Sequence, residues 1–252
     1  MEVGQSPSKS GQRGQSTQQD TKSDVHNEHL NHDVTGQDGF LLANQEYFDR
    51  TAHEYDDLPR AAERAQKTVD AMRNMYQFKD DTIALDYACG TGLISRQIFR
   101  HIKKVLGVDI SQQMVDQYNS IAFQLGLSAE RMEAVCVELK GDEGELGGVK
   151  FDVVFCAWAY HHINEVGRTT QILGRLLKPG GVLLVVDLEN TDPGIFVEHG
   201  HIVPHTHGFN ASAIEKVFKE AGLEKFAYRE AFVDEMEGRE IKLFIAKGVK
   251  LI

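Results

Sequence analysis

The sequence predicts one α/β domain built on a mostly parallel sheet, with a polar leader in front of it. Three observations carry that prediction. Ile83-Ala84-Leu85-Asp86 reads as a buried strand that ends in an acid and runs into Gly90-Thr91-Gly92, after which Leu93–Phe99 continues with helical spacing. Lys104–Val108 repeats the theme, a second strand closed by Asp109. Val182–Asp187 is apolar up to its last residue, as a strand covered on both faces should be. A chain of 252 residues is long enough for one such domain and a tail.

Composition narrows the function. Twenty-seven basic against 38 acidic residues give a net charge of −11, and no basic stretch stands out. Nucleic acid and anionic membrane surfaces need neutralising Lys and Arg, so neither is the expected partner. Cys89, Cys136 and Cys156 are an odd number near predicted strand ends and read as thiols in a reducing compartment. No apolar run approaches the roughly 18 residues of a membrane span, and residues 1–36 carry no apolar signal core. A cytoplasmic protein is expected, with the nucleus as a second compartment. Residues 1–36 hold only Met1, Val3, Val25, Leu30 and Val34 as clear apolar residues, too few to offset ordering entropy. They read as a disordered leader, the alternative being a regulatory arm for a protein partner. The folded domain is then 37–252.

The glycine turn constrains the ligand. Glycine is needed where a strand-to-helix turn lets the backbone approach a ligand. The dinucleotide pattern wants a third glycine where this chain has Ser95. Asp86 would repel a pyrophosphate but suit an ammonium group. Asp109, at the tip of the second strand, can accept both hydroxyls of a ribose. The ligand implied has a ribose, a cationic end and no pyrophosphate, a description that S-adenosylmethionine fits.

Asp86-Tyr87-Ala88-Cys89-Gly90-Thr91-Gly92, Gly107-Val108-Asp109-Ile110-Ser111, Phe151-Asp152-Val153-Val154 and Leu176-Leu177-Lys178-Pro179-Gly180-Gly181 resemble the successive motifs of class I S-adenosylmethionine-dependent methyltransferases. They stand in family order over roughly residues 40–248, nearest to the small-molecule enzymes of the type-11 and ubiquinone-biosynthesis kind. The resemblance implies a Rossmann-like, seven-stranded, mostly parallel sheet with a C-terminal antiparallel hairpin and helices on both faces. It implies S-adenosylmethionine as cofactor, held by Asp86, Ala88, Gly90, Gly92, Asp109, Ile110 and Cys156.

Asn44–Asp57 predicts a short amphipathic helix with Tyr47, Phe48 and Tyr55 toward its buried side. It resembles the F-D-x-x-A-x-x-Y-D segment that many of these enzymes lay over the cofactor, which implies that Tyr55 and Tyr47 approach the methionine moiety. Ordinary packing is the alternative. Ala65, Val69, Met72 and Met75 recur at helical spacing over 61–78, so the helical lid spans about 44–78. A strand follows at Thr82–Asp86, and the helix after the glycine turn should run to about Ile102. Ser111 is the expected N-cap of a helix carrying Met114, Val115, Tyr118 and Ile121. The resemblance puts Met114 against the adenine edge, with a core role as the alternative. Met132–Val137 reads as strand three. Glu138 stands where the family usually carries Asp, and with Leu139 it marks the adenine pocket. Lys140–Gly148 is an acidic, glycine-rich loop whose spacing does not match an EF-hand, so it reads as a solvated turn.

Strand four, Val149–Cys156, leads into Ala157-Trp158-Ala159-Tyr160-His161-His162-Ile163. Ligands bind outside the carboxyl ends of parallel strands, so substrate should meet cofactor here. No Asn-Pro-Pro-Tyr-type segment is present to hold a planar amino group, and no Pro-Cys pair for cytosine-carbon methylation. His161 or His162 could take a proton from an attacking hydroxyl or thiol, or could tie down the adjoining loop. Trp158 could stack on a substrate or pack in the core, and Tyr160 is a further substrate-side candidate.

Thr169–Leu177 is helical, and Lys178-Pro179-Gly180-Gly181 should stop it. His199, His201, His205 and His207 then crowd into nine residues. Imidazoles suit several metals, but structural zinc usually brings cysteine and none is near, so no metal is assigned. The segment reads as an insertion whose histidines, His205 and His207 among them, line the acceptor pocket. Asn210–Leu223 is a capped helix, and strands near Lys225–Val233 and Glu240–Lys247 complete the sheet.

The expected function is methyl transfer from S-adenosylmethionine to an O, N or S atom of a small molecule. A protein methyltransferase and a non-catalytic cofactor-binding regulatory partner are the alternatives.

Overall fold

Alternation along the strands decides the layers. In β1 (Ile83–Tyr87), Ala84 joins one apolar cluster and Leu85 the other; in β4 (Phe151–Ala157), Val153 and Val154 divide the same way. A sheet buried on both faces follows directly, because successive side chains point to opposite sides. The computed structural model describes residues 37–251, so the polar leader expected over 1–36 lies outside the described residues.

Seven strands form one sheet in the order β3-β2-β1-β4-β5-β7-β6. β2 (Lys104–Asp109), β3 (Met132–Cys136) and β5 (Leu177–Glu189) continue the parallel part, and β7 (Arg239–Lys250) is antiparallel to both β5 and β6 (Leu223–Met236). Glu237 and Gly238 join the last two strands with φ of 51° and 69°. Two consecutive residues with positive φ make the turn whose twist matches a hairpin. This is the Rossmann-like sheet with an antiparallel C-terminal pair that the motifs implied.

One face is covered by α2 (Ala61–Met75), α3 (Ser95–Ile98) and α4 (Gln112–Gln124), through Val69, Met72, Ile98, Val115 and Tyr118. The other is covered by α5 (Val166–Leu176) and α6 (Ala211–Glu220), through Leu173, Leu176, Ile214 and Phe218. No helix of the described residues is long and apolar enough to cross a membrane.

Three boundaries differ from expectation. The N-terminal helix α1 (Gln37–Thr51) starts before Asn44 and ends in a 3₁₀ turn, Ala52–Asp57. Phe40 and Leu41 extend its apolar side over the cavity described below. The helix after the glycine turn stops at Ile98 with a 3₁₀ turn to His101, short of Ile102. Ile102 is already extended, and Lys103 donates to the Thr82 carbonyl, because Lys104 must come into register with Ile83. Lys178–Gly181 do end α5, but they lie within β5 rather than ahead of it.

Candidate active site

The strand order reverses between β1 and β4, and a cavity of about 470 Å³ opens there at the carboxyl ends of the strands. That is the expected ligand crevice of an open α/β sheet, and the volume suits a small-molecule site. Its walls come from the strand-end loops, the start of α2, and α1 with its 3₁₀ turn. Ala88 and Trp158, the residues just past β1 and β4, both adopt positive φ (56° and 60°) and both face the cavity. Such strain in non-glycine residues is tolerated where surrounding structure fixes it.

Two carboxylates organise one half. Asp109 sits at the end of β2, 9% exposed, and its oxygens accept from the N–H groups of Gly90 (2.8 Å) and Ser111 (2.9 Å). Burial raises its pKa, and those backbone donors oppose the shift. Asp86 is 2% exposed and accepts a hydroxyl bond from Ser95 at 2.7 Å, so the residue in the third-glycine position serves to hold the acid. Burial pushes Asp86 up to about 7. Gly90 has φ +51°, and a Cβ there would meet nothing closer than Met114 Sδ at 3.9 Å and Tyr55 at 4.0 Å. The turn therefore presents bare backbone to the cavity. Met114, Ile110, Glu138 and Leu139 continue this wall. Tyr55 closes it from the lid, its phenol kept protonated by burial with a pKa raised to about 12.

Histidine chemistry organises the other half. His161 Nδ1 lies 2.8 Å from Asp187 Oδ1 at the end of β5, with His161 4% and Asp187 0% exposed. Asp187 Oδ1 also accepts from Leu188 N–H, which fixes the carboxylate. The pairing leaves His161 Nε2 as the free nitrogen of a cavity-lining ring. Beside it, the His162 Nδ1–H donates to the Ile202 carbonyl at 2.9 Å. Burial and the neighbouring His161 hold the His162 pKa well below its ordinary value, so this ring stays neutral. Trp158 lines the cavity with its Nε1–H donating to Thr68 Oγ1 at 3.0 Å.

The cavity thus gathers Tyr47, Tyr55, Asp86, Ala88, Gly90, Asp109, Ile110, Met114, Glu138, Leu139, Trp158, His161 and His162. Five residues expected at the site lie off its walls. Gly92 carries φ +84°, and a Cβ there would sit 2.6 Å from the Tyr118 ring, so it serves helix packing instead. Cys156 and Tyr160 point into the opposite core, Tyr160 sharing a bond with Thr170 Oγ1 at 3.0 Å. His205 Nε2 bonds the Ile163 carbonyl and its ring packs on Phe209, while His207 is exposed. Of the histidine-rich insertion, His199 reaches the cavity, with Phe196, Ile202 and Val203. Among the described residues no group of three or more His, Cys, Asp or Glu is arranged to hold a metal ion.

Sequence reading missed Asp187 as the partner of His161, and Asn44, which α1 delivers to the wall. Asp187 had a signal: it is the third acid to close an apolar strand, after Asp86 and Asp109. Asn44 had none, since its role depends on carbonyls far away in the chain.

A Rossmann-like sheet with a turn of bare backbone and an acid at the next strand tip is an arrangement suited to a nucleoside ligand. Residues 85–183 match the family described as "Methyltransferase domain". An uncharacterized methyltransferase of Schizosaccharomyces pombe is 38% identical over 168 residues, covering 61% of this chain and 58% of that protein. A ubiquinone biosynthesis O-methyltransferase of Bartonella tribocorum is 30% identical over 112 residues, 44% of this chain and 43% of that one. The chain therefore spans little more than half the length, at most, of these curated relatives. Among solved structures, magnesium protoporphyrin IX methyltransferase from Synechocystis, with S-adenosylhomocysteine bound, superposes with a TM-score of 0.63 at 18% identity. That match covers 84% of this chain and 99% of the other, and it shows the fold. Over residues 85–183 the chain is thus similar to methyltransferase domains, and its fold is that of solved S-adenosylmethionine-dependent methyltransferases.

Proposed function

We propose that this protein transfers a methyl group from S-adenosylmethionine to a hydroxyl of a small molecule. The single observation that carries the hydroxyl is the His161–Asp187 pair on the cavity wall. The residues fit the cofactor: Asp86 is a buried carboxylate without a cationic partner, and Gly90 leaves an uncovered backbone cradle. Asp86 and the glycine turn would hold the amino-acid end, Asp109 the ribose, and Ile110, Met114, Glu138 and Leu139 the adenine side.

When bound, S-adenosylmethionine supplies a methyl group made electrophilic by its sulfonium, so no separate activation of the donor is required. The protein's own task is to align the attacking atom and to remove its proton. His161 Nε2 accepts the hydroxyl proton as the oxygen is methylated, and Asp187 stabilises the resulting imidazolium while holding the ring's orientation. The aromatic walls exclude water from this step.

A small-molecule acceptor is favoured by the cavity's volume of about 470 Å³, with Phe48, Tyr55 and Ile202 among its walls. Three free cysteines, two of them buried, favour the cytosol or nucleus. Calorimetric titration with S-adenosylmethionine and S-adenosylhomocysteine tests the cofactor site. Binding should be weakened at least about tenfold in Asp109→Ala, the cost of losing hydrogen bonds to a charged group. A folded protein that binds neither ligand would overturn the proposal.

A further inference from the structure

Trp158 is the chain's one tryptophan. It follows β4, whose neighbour β1 leads into the glycine turn, and it stands three residues before His161. Its φ of 60° is rare for a bulky side chain and persists only where the surroundings over-determine it. The side chains that fix its ring come from α2 and β6, which supply none of the groups assigned above to the cofactor or to proton transfer.

From α2 come Thr68 and Arg64. The Thr68 hydroxyl donates to the Arg64 carbonyl at 2.8 Å, which leaves its lone pairs for the Trp158 Nε1–H at 3.0 Å. One turn earlier, Arg64 lays its guanidinium over the indole, 5.6 Å from the ring centroid. From β6 come Phe232 and Asp234. Phe232 lies 6.2 Å from the indole ring, and Asp234, its side chain 0% exposed, meets Arg64 Nε at 3.4 Å through Oδ2. Neither atom of that contact has a hydrogen bond elsewhere, so the two charges balance one another. Asp234 Oδ1 is held by Arg60 at 2.6 Å and by the Glu235 N–H at 2.7 Å, while the Glu235 carbonyl accepts from Arg64 Nη2.

The guanidinium is thus fixed along its edge by the hairpin and spends its face on the indole. Arginine suits this double duty, because its planar fork can pair and stack at once, and the attraction to a ring grows as water is excluded. Arg64, Trp158 and Met236 all line the cavity, so the tip of the β6–β7 hairpin is part of its wall. We propose that Asp234 is a positioning residue of the site: through Arg64 it holds the Trp158 ring against the cavity in one orientation. The hairpin tip then governs the shape of the wall between the glycine turn and His161. What that wall serves rests on the methyltransfer reading above.

A single tryptophan makes the ring its own reporter. Acrylamide quenching of Trp158 emission in the full, ligand-free chain should rise about twofold in Asp234→Asn and in Arg64→Met, as the freed ring samples solvent. Arg60→Gln removes a partner of the same carboxylate without touching the indole, and it should quench like the parent. Arg64→Met leaves Asp234 paired with Arg60, and it decides alone if Asp234→Asn does not fold. Titration with S-adenosylhomocysteine should change Trp158 emission in the parent, and the change should be at least halved in both variants. Quenching that stays at the parent level in the variants, or rises equally in Arg60→Gln, would overturn the proposal. So would an emission that ignores S-adenosylhomocysteine in a parent that binds it calorimetrically. Failure to bind that ligand at all would instead strike the functional reading, and the ligand-free comparison would still judge the role of Asp234.

Discussion

Asp86 is a carboxyl group kept at a strand end with a serine and no cation for company. Burial raises its pKa from the ordinary 3.8 to about 7. The folded protein therefore holds this proton over a range where the unfolded chain has released it. Stability of the ligand-free protein should fall as pH climbs from about 4 to 7. Asp86→Asn is expected to melt higher than the parent at pH 8 without ligand, by an amount that shrinks toward pH 4, while binding cofactor more weakly. A cation placed beside Asp86 reverses its burial-driven shift, so cofactor binding near pH 6.5 should release a proton. Binding enthalpies measured in buffers of different ionisation enthalpy will register that release. At the other wall, His161→Gln is expected to lower kcat by about 10²- to 10⁴-fold, the usual range for losing a general base. Asp187→Asn should fall in the same direction, with S-adenosylhomocysteine affinity unchanged in both. In His161→Gln the loss should fall on kcat with the acceptor KM little changed, a split that a merely structural histidine would not produce.

At the scale of elements, α1 and its 3₁₀ turn are fastened to both loops of the proposed cofactor site by two carboxylates. Asp49 accepts from Ser111 Oγ at 2.6 Å and Gln113 N–H at 3.1 Å, at the start of α4. Asp56 accepts from Thr91 Oγ1 in the glycine turn and pairs with Arg96 at 2.6 Å. These are bonds between the lid and the loops beneath it, so they resist opening without touching the ligand. Asp56→Asn and Asp49→Asn should each speed dissociation of S-adenosylhomocysteine in stopped-flow displacement by several-fold, and the double variant by more, with smaller effects on association. Much of this level was legible from sequence. The acids at the strand ends, the Ser111 cap and the helix before Leu58 all rest on contacts within a few residues or on periodicity, which one sequence displays. Ser111 does accept from Met114 N–H. What stayed hidden was decided by long-range geometry: α3 ends early because β2 must meet β1, and Gly92 is glycine because Tyr118 packs over it. His205 turned away for the same kind of reason, its ring claimed by the Ile163 carbonyl and Phe209. Composition placed histidines in that segment, but nothing in their spacing says which one faces inward.

Across the whole molecule, the cavity couples parts that otherwise share little surface, so filling it should stabilise the domain as a unit. At 100 times its Kd, S-adenosylhomocysteine adds about 2.7 kcal/mol. For a domain of this size that corresponds to a rise in Tm of roughly 5–10 °C. Scanning calorimetry should show it as one shifted transition, lost in Asp109→Ala. The cavity is built only in part from the stretch that matches the methyltransferase family. The wall proposed for the cofactor is drawn mainly from segments 86–110 and 137–139, inside the stretch that matches the methyltransferase family, residues 85–183. Asn44, Phe48, Phe196, His199 and Ile202 come from outside that stretch, on α1 and the insertion after β5. A lineage could thus exchange its acceptor by rewriting two short, separate pieces of chain while leaving the donor chemistry inherited intact. For the engineer, the same division marks where chimeras should be cut: the two pieces must travel together, because the Ile202 carbonyl receives bonds from both Asn44 and His162.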